Sequence, residues 1–498
     1  MNAESSRPVG YGELIARYGL SVIPNWHTSA VAANNIRRVA STGDRTNEPF
    51  PARLWPGGGL GDQLEFALKY DGTNLLILAK LFAVAPQTEL TAYIRSKPTG
   101  KYTRRLWYLY ELLTGRRLPI SDISQGNYVD LLDPKDYFVS RSISIQRQRI
   151  RDNLLGDARF CPMVRRTARL IDFENSGLAE KCRKVMEAYP AELLRRALGY
   201  LYTKESKSSF EIEHIAPSAA RTARFVTLLQ TAETEDFVNR PALIELQNRI
   251  VDERFKDLDY RKQQNYVGET IAWQNERIHF ISPRPADLGG LMDGIFAAHR
   301  RMGDAGVHPV VHAAVIAYAF VFMHPFEDGN GRIHRFLIHN VLAKRGFTPQ
   351  GIMFPVSAVM LKDPAAYDAS LEAFSRPLIP LVEYDLDDRG RMTVHNQTAD
   401  YYRYIDMTAQ VEALFEFIRR TIETELVDEL TFLLNYDRTK RAIQSVVDMP
   451  DRLIDLFIRC CLQNQGRLSK RKRALFATLR DSEIARMEAA VRNGYATG

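Results

Sequence analysis

The chain has 498 residues, of which 45% are hydrophobic and 26% charged, with a formal net charge of +7. That length is too great for one compact core, so two to four domains are expected, and the balance is that of a soluble globular protein. No stretch approaches the roughly eighteen uninterrupted apolar residues that a membrane span needs, and a modest positive surplus permits contact with nucleic acid or acidic partners without establishing it.

The chain opens on MNAESSRPVGYGEL, which has neither a basic start nor an apolar run, so no secretory leader is expected. Residues 1–160 alternate helical and extended signals, with breaks at Pro51–Gly61 and Ser96–Gly100. Gly12–Ile23 (GELIARYGLSVI) reads as a short helix, a glycine turn and the start of another element, the pattern of a helix-turn-helix, which makes DNA a partner to consider. Gly57–Gly59 lacks the following Gly-Lys-Ser/Thr of a phosphate loop and reads as a flexible turn. Arg141–Arg151 (RSISIQRQRIR) reads as an exposed strand face running into a helix. Cys161, Cys182, Cys460 and Cys461 show no CxxC spacing, so reduced thiols in a cytoplasmic protein are expected.

From about 160 to 390 the pattern becomes helical. Residues 190–202 and 219–232 carry apolar positions at helical spacing, and Ser206–Ile215 between them reads as a polar helix start. Glu269–Ser282 (ETIAWQNERIHFIS) is rich in β-branched and aromatic residues around Gln274-Asn275-Glu276 and reads as a hairpin closed by Pro283 and Pro285. Residues 310–323 are apolar nearly all round, as in a helix buried inside a bundle. The last hundred residues read as helices over 407–425, 428–434, 453–463 and 471–493, the last opened by the basic run Lys470–Arg473.

The stretch that carries chemistry is His324–Arg335, HPFEDGNGRIHR. The buried helix delivers His324 into a loop, and Pro325 disfavours helical geometry in the residue before it. Gly329 and Gly331 bracket Asn330 and let backbone N–H groups approach a ligand. A second helix then runs to Arg345 and stops at Gly346, with Arg332 and Arg335 three residues apart on one face. A free helix N-terminus is an anion site, and guanidinium forks beside it favour phosphate. A carboxylate next to bound phosphate, Asp328, suggests Mg²⁺, and His324 has the character of a general base.

HPFEDGNGRIHR resembles the Fic motif, HPFx(D/E)GNGRxxR, at every specified position. The resemblance extends over roughly residues 195–385. It implies that His324 activates a target hydroxyl, that Phe326 fixes the loop in the core, and that Asp328 holds Mg²⁺. It further implies an anion hole made by Gly329, Asn330 and Gly331, with Arg332 on the β-phosphate and Arg335 on the γ-phosphate of ATP. Glu327 stands at the variable position. The hairpin 269–282 sits where Fic proteins carry the flap on which a protein target docks by strand addition. Tyr367, in a segment resembling the one that closes over the base, is a base-pocket candidate. Ser209-Phe-Glu-Ile-Glu213 fits the inhibitory pattern (S/T)xxxE(G/N), with Glu213 as the inhibitory carboxylate, Glu211 as its neighbouring competitor, and His214 where Gly or Asn is usual.

The expected fold is therefore mostly α. A helical Fic core with a β-hairpin flap and its inhibitory helix (161–390) lies between a mixed α/β N-terminal domain (1–160) and a helical or winged-helix C-terminal domain (391–498). The expected activity is transfer of AMP from ATP to a Tyr, Ser or Thr hydroxyl of a protein, the chain itself included. Two alternatives stay open: the same site using another nucleotide or removing AMP, and a DNA-binding regulator whose core senses ATP.

Overall fold

The computed structural model describes residues 6–32, 39–42, 45–272, 275–349 and 351–495. The N-terminal part is mixed, as expected. It contains β1 (Arg7–Val9), α1 (Tyr11–Tyr18), β2 (His27–Ala32), β3 (Ala40–Thr42) and β4 (Arg45–Pro51), followed by helices Leu60–Phe66, Leu75–Val84, Gln87–Ser96 and Lys101–Thr114. The sheet runs β1-β2-β4-β3, with β2 and β4 parallel and the other pairs antiparallel.

Two expectations fail in this part. α1 ends at left-handed Gly19, and the chain then runs extended into β2, so Gly12–Ile23 is not a helix-turn-helix. The physical reason lies just downstream: Pro24 holds Ile23 out of the helical region, and the residues beyond it pair in the sheet. Arg141–Arg151 likewise does not enter a helix; Ile143–Ile145 turns back through left-handed Arg149 onto Ile150–Asp152.

A buried polar hub holds α1 to the sheet. Asp71 accepts the Tyr11 N–H at 3.0 Å and the Ser29 hydroxyl, and faces His27 Nδ1 at 3.3 Å. On its other side His27 Nε2 lies 3.0 Å from Glu48. Gly10 is required here, because a Cβ would stand 2.1 Å from Asp71 Oδ2 and φ is +62°.

The rest of the chain is helical. Its main helices are α2 (Ala191–Glu211), α3 (Ala219–Gln230), α4 (Arg240–Ile250), α5 (Pro285–Asp304), α6 (Pro309–Met323) and α7 (Asn330–Lys344), then α8 (Val356–Lys362), α9 (Pro364–Leu378) and α10 (Thr408–Arg420). The hairpin of β5 (Tyr266–Ala272) and β6 (Asn275–Ile281) forms where the sequence predicts one, although Gln274 lies outside the described residues. α6 is buried on every side and packs against α5, α7 and α10, as its unbroken apolar sequence requires. Ser206–Ile215, expected to start a helix, instead ends α2: Glu205 and Ser209 turn into the protein toward α7, and Ser206 donates to Thr222 O of α3.

Residues 421–425 form a π turn that carries α10 directly into α11 (Leu426–Gln444), so the break expected after 425 is absent. The main hydrophobic core extends to Leu430, and a second, small core gathers Ile443, Ile454, Phe457, Phe476 and Met487 around α12 (Asp451–Leu462) and α13 (Asp481–Gly494). Among the described residues of 391–495 the one strand is Met392–Val394, paired with Tyr384–Leu386, and the remainder is helical. Lys470–Arg473 does not open α13 but begins a separate 3₁₀ turn, Lys470–Phe476. All four cysteines are buried and free, and no single helix among the described residues is long and apolar enough to cross a membrane.

The hub predicts a pH dependence. Burial opposes a charge on His27, but hydrogen bonds and attraction from Asp71 and Glu48 outweigh it and raise its pKa above the ordinary 6.5. A raised histidine pKa adds stability that is complete below the unfolded value and is lost as pH rises through the folded one. Thermal melts from pH 6 upward should therefore show the wild type losing its advantage over His27→Gln as pH passes through that raised value. Parallel melting profiles would contradict it.

Candidate active site

The site forms where α6 ends and α7 begins. His324 closes α6 with φ at +47°, donating its N–H to Phe320 O at 3.1 Å, and Pro325 prevents the helix from continuing. Its Nδ1 lies 3.2 Å from Val321 O. A carbonyl only accepts, so Nδ1 carries the proton and the lone pair is on Nε2. Burial, helped by the nearby positive charge of Arg261, lowers the His324 pKa to about 4, so the ring is neutral at physiological pH.

The loop after His324 is pinned from inside. Phe326 is fully buried, and Asn330 bonds its backbone in both directions: Oδ1 accepts the Phe326 N–H at 3.1 Å and Nδ2 donates to Phe326 O at 2.7 Å. Gly329, at φ +90°, turns the chain into α7. The first N–H groups of that helix have no intrahelical acceptor, which makes its N-terminus a positive, donor-rich point. At the other end, left-handed Gly346 closes α7 as predicted, with Phe347 N–H on Leu342 O at 3.0 Å and Gly346 N–H on Ala343 O at 2.9 Å.

Both motif arginines are buried, Arg332 at 2% and Arg335 at 1% exposure, and one carboxylate meets them both. Glu213 Oε1 accepts from Arg335 Nη2 at 2.7 Å, and Oε2 lies 2.9 Å from Arg332 Nε, close enough to pair as ions but off the N–H direction. Arg335 also donates to the Ser209 hydroxyl at 2.9 Å and to Ser209 O at 2.5 Å. Burial works against its charge, yet Glu213 and Tyr367 shift its pKa upward overall. The Glu213 carboxylate rests directly on the α7 N-terminus: a Cβ at Gly331 would stand 2.5 Å from Oε1. The competing Glu211 makes no contact with either arginine among the described residues.

His214 explains its own substitution. The end of α2 is a Schellman turn, with His214 N–H on Glu211 O at 2.9 Å and Ile215 N–H on Phe210 O at 3.1 Å. His214 occupies the left-handed position at φ +58°, which favours Gly and Asn and tolerates His better than most side chains. The turn places Glu213 two residues past the end of α2, aimed at α7.

Asp328 is half-exposed. Its Oδ1 accepts from Gly329 N–H at 2.6 Å and from Arg332 Nη2 at 2.8 Å, and Oδ2 has no hydrogen-bond partner among the described residues. No group of three or more metal-type side chains occurs among those residues. One carboxylate with an open oxygen suits Mg²⁺, which takes one or two protein carboxylates and completes its shell with water and substrate phosphates. Tyr367 does not line an open pocket. It is 6% exposed, its hydroxyl lies 3.1 Å from His334 Nδ1 and its ring stacks on His334, so it backs Arg335 from within the core.

Residues 237–342 match the profile of the Fic/DOC family. The chain carries a Fic domain. Among curated relatives, the protein adenylyltransferase Fic of Culex quinquefasciatus is 32% identical over 116 residues, or 23% of this chain and 21% of that protein. The protein of the same name from Drosophila melanogaster is 32% identical over 109 residues, covering 22% and 20% respectively. The chain thus spans about a fifth of the length of the curated relatives it matches. A solved Fic family protein from Desulfovibrio desulfuricans aligns with 66% of this chain and 88% of its own, at 16% identity and a TM-score of 0.37. The Fic match contains the loop and both arginines, whereas Glu213 lies upstream of it.

Sequence reading missed four contributors. Glu205 and His339 continue the α2–α7 seam one turn further, with His339 Nε2 2.7 Å from Glu205 Oε1. The spacing Glu205, Ser209, Glu213 facing Arg332, Arg335, His339 could have revealed it. Arg261 and Asn265, which hold the His324–Phe326 backbone, lie in an irregular segment with no periodic signal.

The Schellman turn makes a prediction. His214→Val puts a β-branched residue in the left-handed region, where the cost is roughly 1–2 kcal/mol for ordinary residues. That should loosen Glu213 and lower melting temperature, whereas His214→Asn should leave both unchanged. Hydrogen exchange of Ile215 checks this: faster exchange in His214→Val alone is expected, and equal exchange in all three proteins would contradict it.

Proposed function

We propose that this chain is a protein adenylyltransferase: it transfers AMP from ATP to a hydroxyl of a protein target, and Glu213 restrains it. The observation that carries the reading is the convergence of a neutral His324 with an open Nε2, the α7 N-terminus and two buried guanidiniums at one loop. His324 Nε2 accepts the proton of the attacking hydroxyl. The hydroxyl oxygen bonds to the α-phosphorus and pyrophosphate leaves. The N–H groups of the Gly329–Gly331 turn and Arg332 bind the phosphates, and Arg335 takes the terminal one. Asp328 would hold Mg²⁺, which supplies charge neutralisation on the polyphosphate. Among the described residues the hairpin has two strands and no third one, so an extended target segment can add at its edge and present its hydroxyl above the site.

Glu213 occupies the place of the terminal phosphate. While it bridges Arg335 and Arg332, the triphosphate cannot settle with its α-phosphorus in line, and phosphoryl transfer depends steeply on that alignment. Removing one partner of a buried ion pair costs about 3–5 kcal/mol. Glu213→Gly should therefore melt lower without nucleotide and be restored by ATP. Labelled ATP incubated with lysate tests the whole reading. Glu213→Gly should label itself or a target more than wild type does, Glu213→Gly with Arg335→Ala should lose the gain, and Glu213→Gly with His324→Ala should drop by about two to four orders of magnitude. Undiminished labelling in the His324 variant would overturn the assignment.

A second reading, DNA contact by the C-terminal cluster, is favoured by one observation. Residues 436–495 hold thirteen Lys and Arg against seven Asp and Glu, and no carboxylate lies between Asp455 and Asp481. Duplex binding by this cluster should weaken steeply with salt and disappear on changing Lys470 and Arg471 to Glu. Binding that ignores both changes would remove the reading.

A further inference from the structure

Beneath the catalytic loop lies a buried cation that the chemistry above does not use. Arg261 is 4% exposed and forms no ion pair with a carboxylate among the described residues. Every bond it makes goes to a backbone carbonyl. Its own N–H donates to Pro325 O at 2.8 Å, and its Nε donates to His324 O at 2.8 Å. Its Nη1 donates to Gln263 O at 2.8 Å and its Nη2 to Pro283 O at 2.5 Å. Gln263 and Pro283 are the two ends of the hairpin segment, and Asn265 adds weaker contacts from the same place, Nδ2 reaching Phe326 O at 3.3 Å. One guanidinium thus ties both roots of the flap to the peptide of the proposed base.

We propose that Arg261 is a positioning residue for AMP transfer: it fixes the flap, and the target strand on it, in register with His324. The proposal rests on the adenylyltransferase reading for its kinetic part only. A neutral amide could brace two carbonyls at less cost, since a buried charge without a carboxylate is expensive. Two features here compensate a cation. The C-terminus of α6 is the negative end of its dipole, and three carbonyls, those of His324, Gln263 and Pro283, receive the guanidinium donors. What the charge adds beyond bracing is repulsion of a proton from the neighbouring ring. The groups facing His324 are Arg261, which opposes protonation, Asp328, which favours it, and Val321 O, which fixes the tautomer.

The test compares wild type, Arg261→Lys and Arg261→Gln in the full chain, all first checked for a cooperative melt. The first measurement needs no activity. The His324 ring is titrated by histidine NMR, with its signal assigned through His324→Ala. Arg261→Gln should move the midpoint upward by about one unit, and Arg261→Lys, which keeps the charge, should stay near wild type. The second measurement, on the Glu213→Gly background, is transfer. Arg261→Gln should lower kcat with target at least tenfold and shift the acidic limb to higher pH, with ATP Kd changed less than twofold. Arg261→Lys should restore the limb but not the full rate, since a single ammonium cannot reach both roots of the flap. An unmoved His324 midpoint in a folded Arg261→Gln overturns the electrostatic part. Normal kcat in that variant overturns the positioning part. Loss of transfer in the Glu213→Gly parent instead counts against the adenylyltransferase reading, while the NMR titration still decides the charge effect.

Discussion

Two guanidiniums held almost out of reach of water set the terms for the whole site. An anion beside Arg332 and Arg335 offsets the several kcal/mol that transfer of an unpaired charge into a protein interior costs. In the chain as folded Arg332 pairs with Asp328, and both pair with Glu213, reaching across from the end of α2. Everything else in the site arranges the ground on which this carboxylate and an incoming phosphate would compete. Gly331 leaves room at the helix N-terminus, Ser209 supplies two acceptors for the same arginine, and left-handed His214 turns Glu213 toward it.

The remaining architecture serves to keep the ends of three helices together. α6 is apolar nearly all round, so it is fixed by packing, with His312 on His299 and Tyr318 on Ser370 as polar ties, and it delivers His324 at a defined height. α7 carries arginines on one side and apolar residues on the other, which lets it belong to the core and to the site at once. α2 is held on its outer side as well: Arg196 pairs with Asp437 at 2.7 Å, and Lys204 pairs with Glu425 and Glu429 of the long α10–α11 helix. The helix that leads to Glu213 is therefore braced between the active loop and the C-terminal arm.

The catalytic loop was legible in the sequence because its chemistry is local. Twelve consecutive residues contain the histidine, the turn glycines, the carboxylate and both arginines, and the bounds of α6, α7 and the hairpin follow from periodicity and from Pro325 and Gly346. Glu213 was legible only through a resemblance, since 119 residues separate it from Arg332 in the chain. The polar stretch 206–215 was misread as a helix start because serines and glutamates suit helix starts, and only the fold shows Ser209 and Glu213 facing buried arginines. The helix-turn-helix reading failed for a different reason: a glycine-broken helix is common, and the weight of Pro24 and of the pairing of 27–32 with strands at 7–9 and 45–51 was overlooked. Arg261 left no sequence signal, because its partners are backbone carbonyls and any residue can supply those.

The central claim is that Glu213 and the terminal phosphate of a nucleotide compete for one pair of buried guanidiniums. Calorimetric titration of ATP and ADP against wild type and Glu213→Gly, with the same Mg²⁺ throughout, tests it most directly. ATP should bind little better than ADP in the wild type, and removal of the carboxylate should strengthen ATP binding at least tenfold more than ADP binding. An ATP-to-ADP affinity ratio that is the same in both proteins would contradict the account.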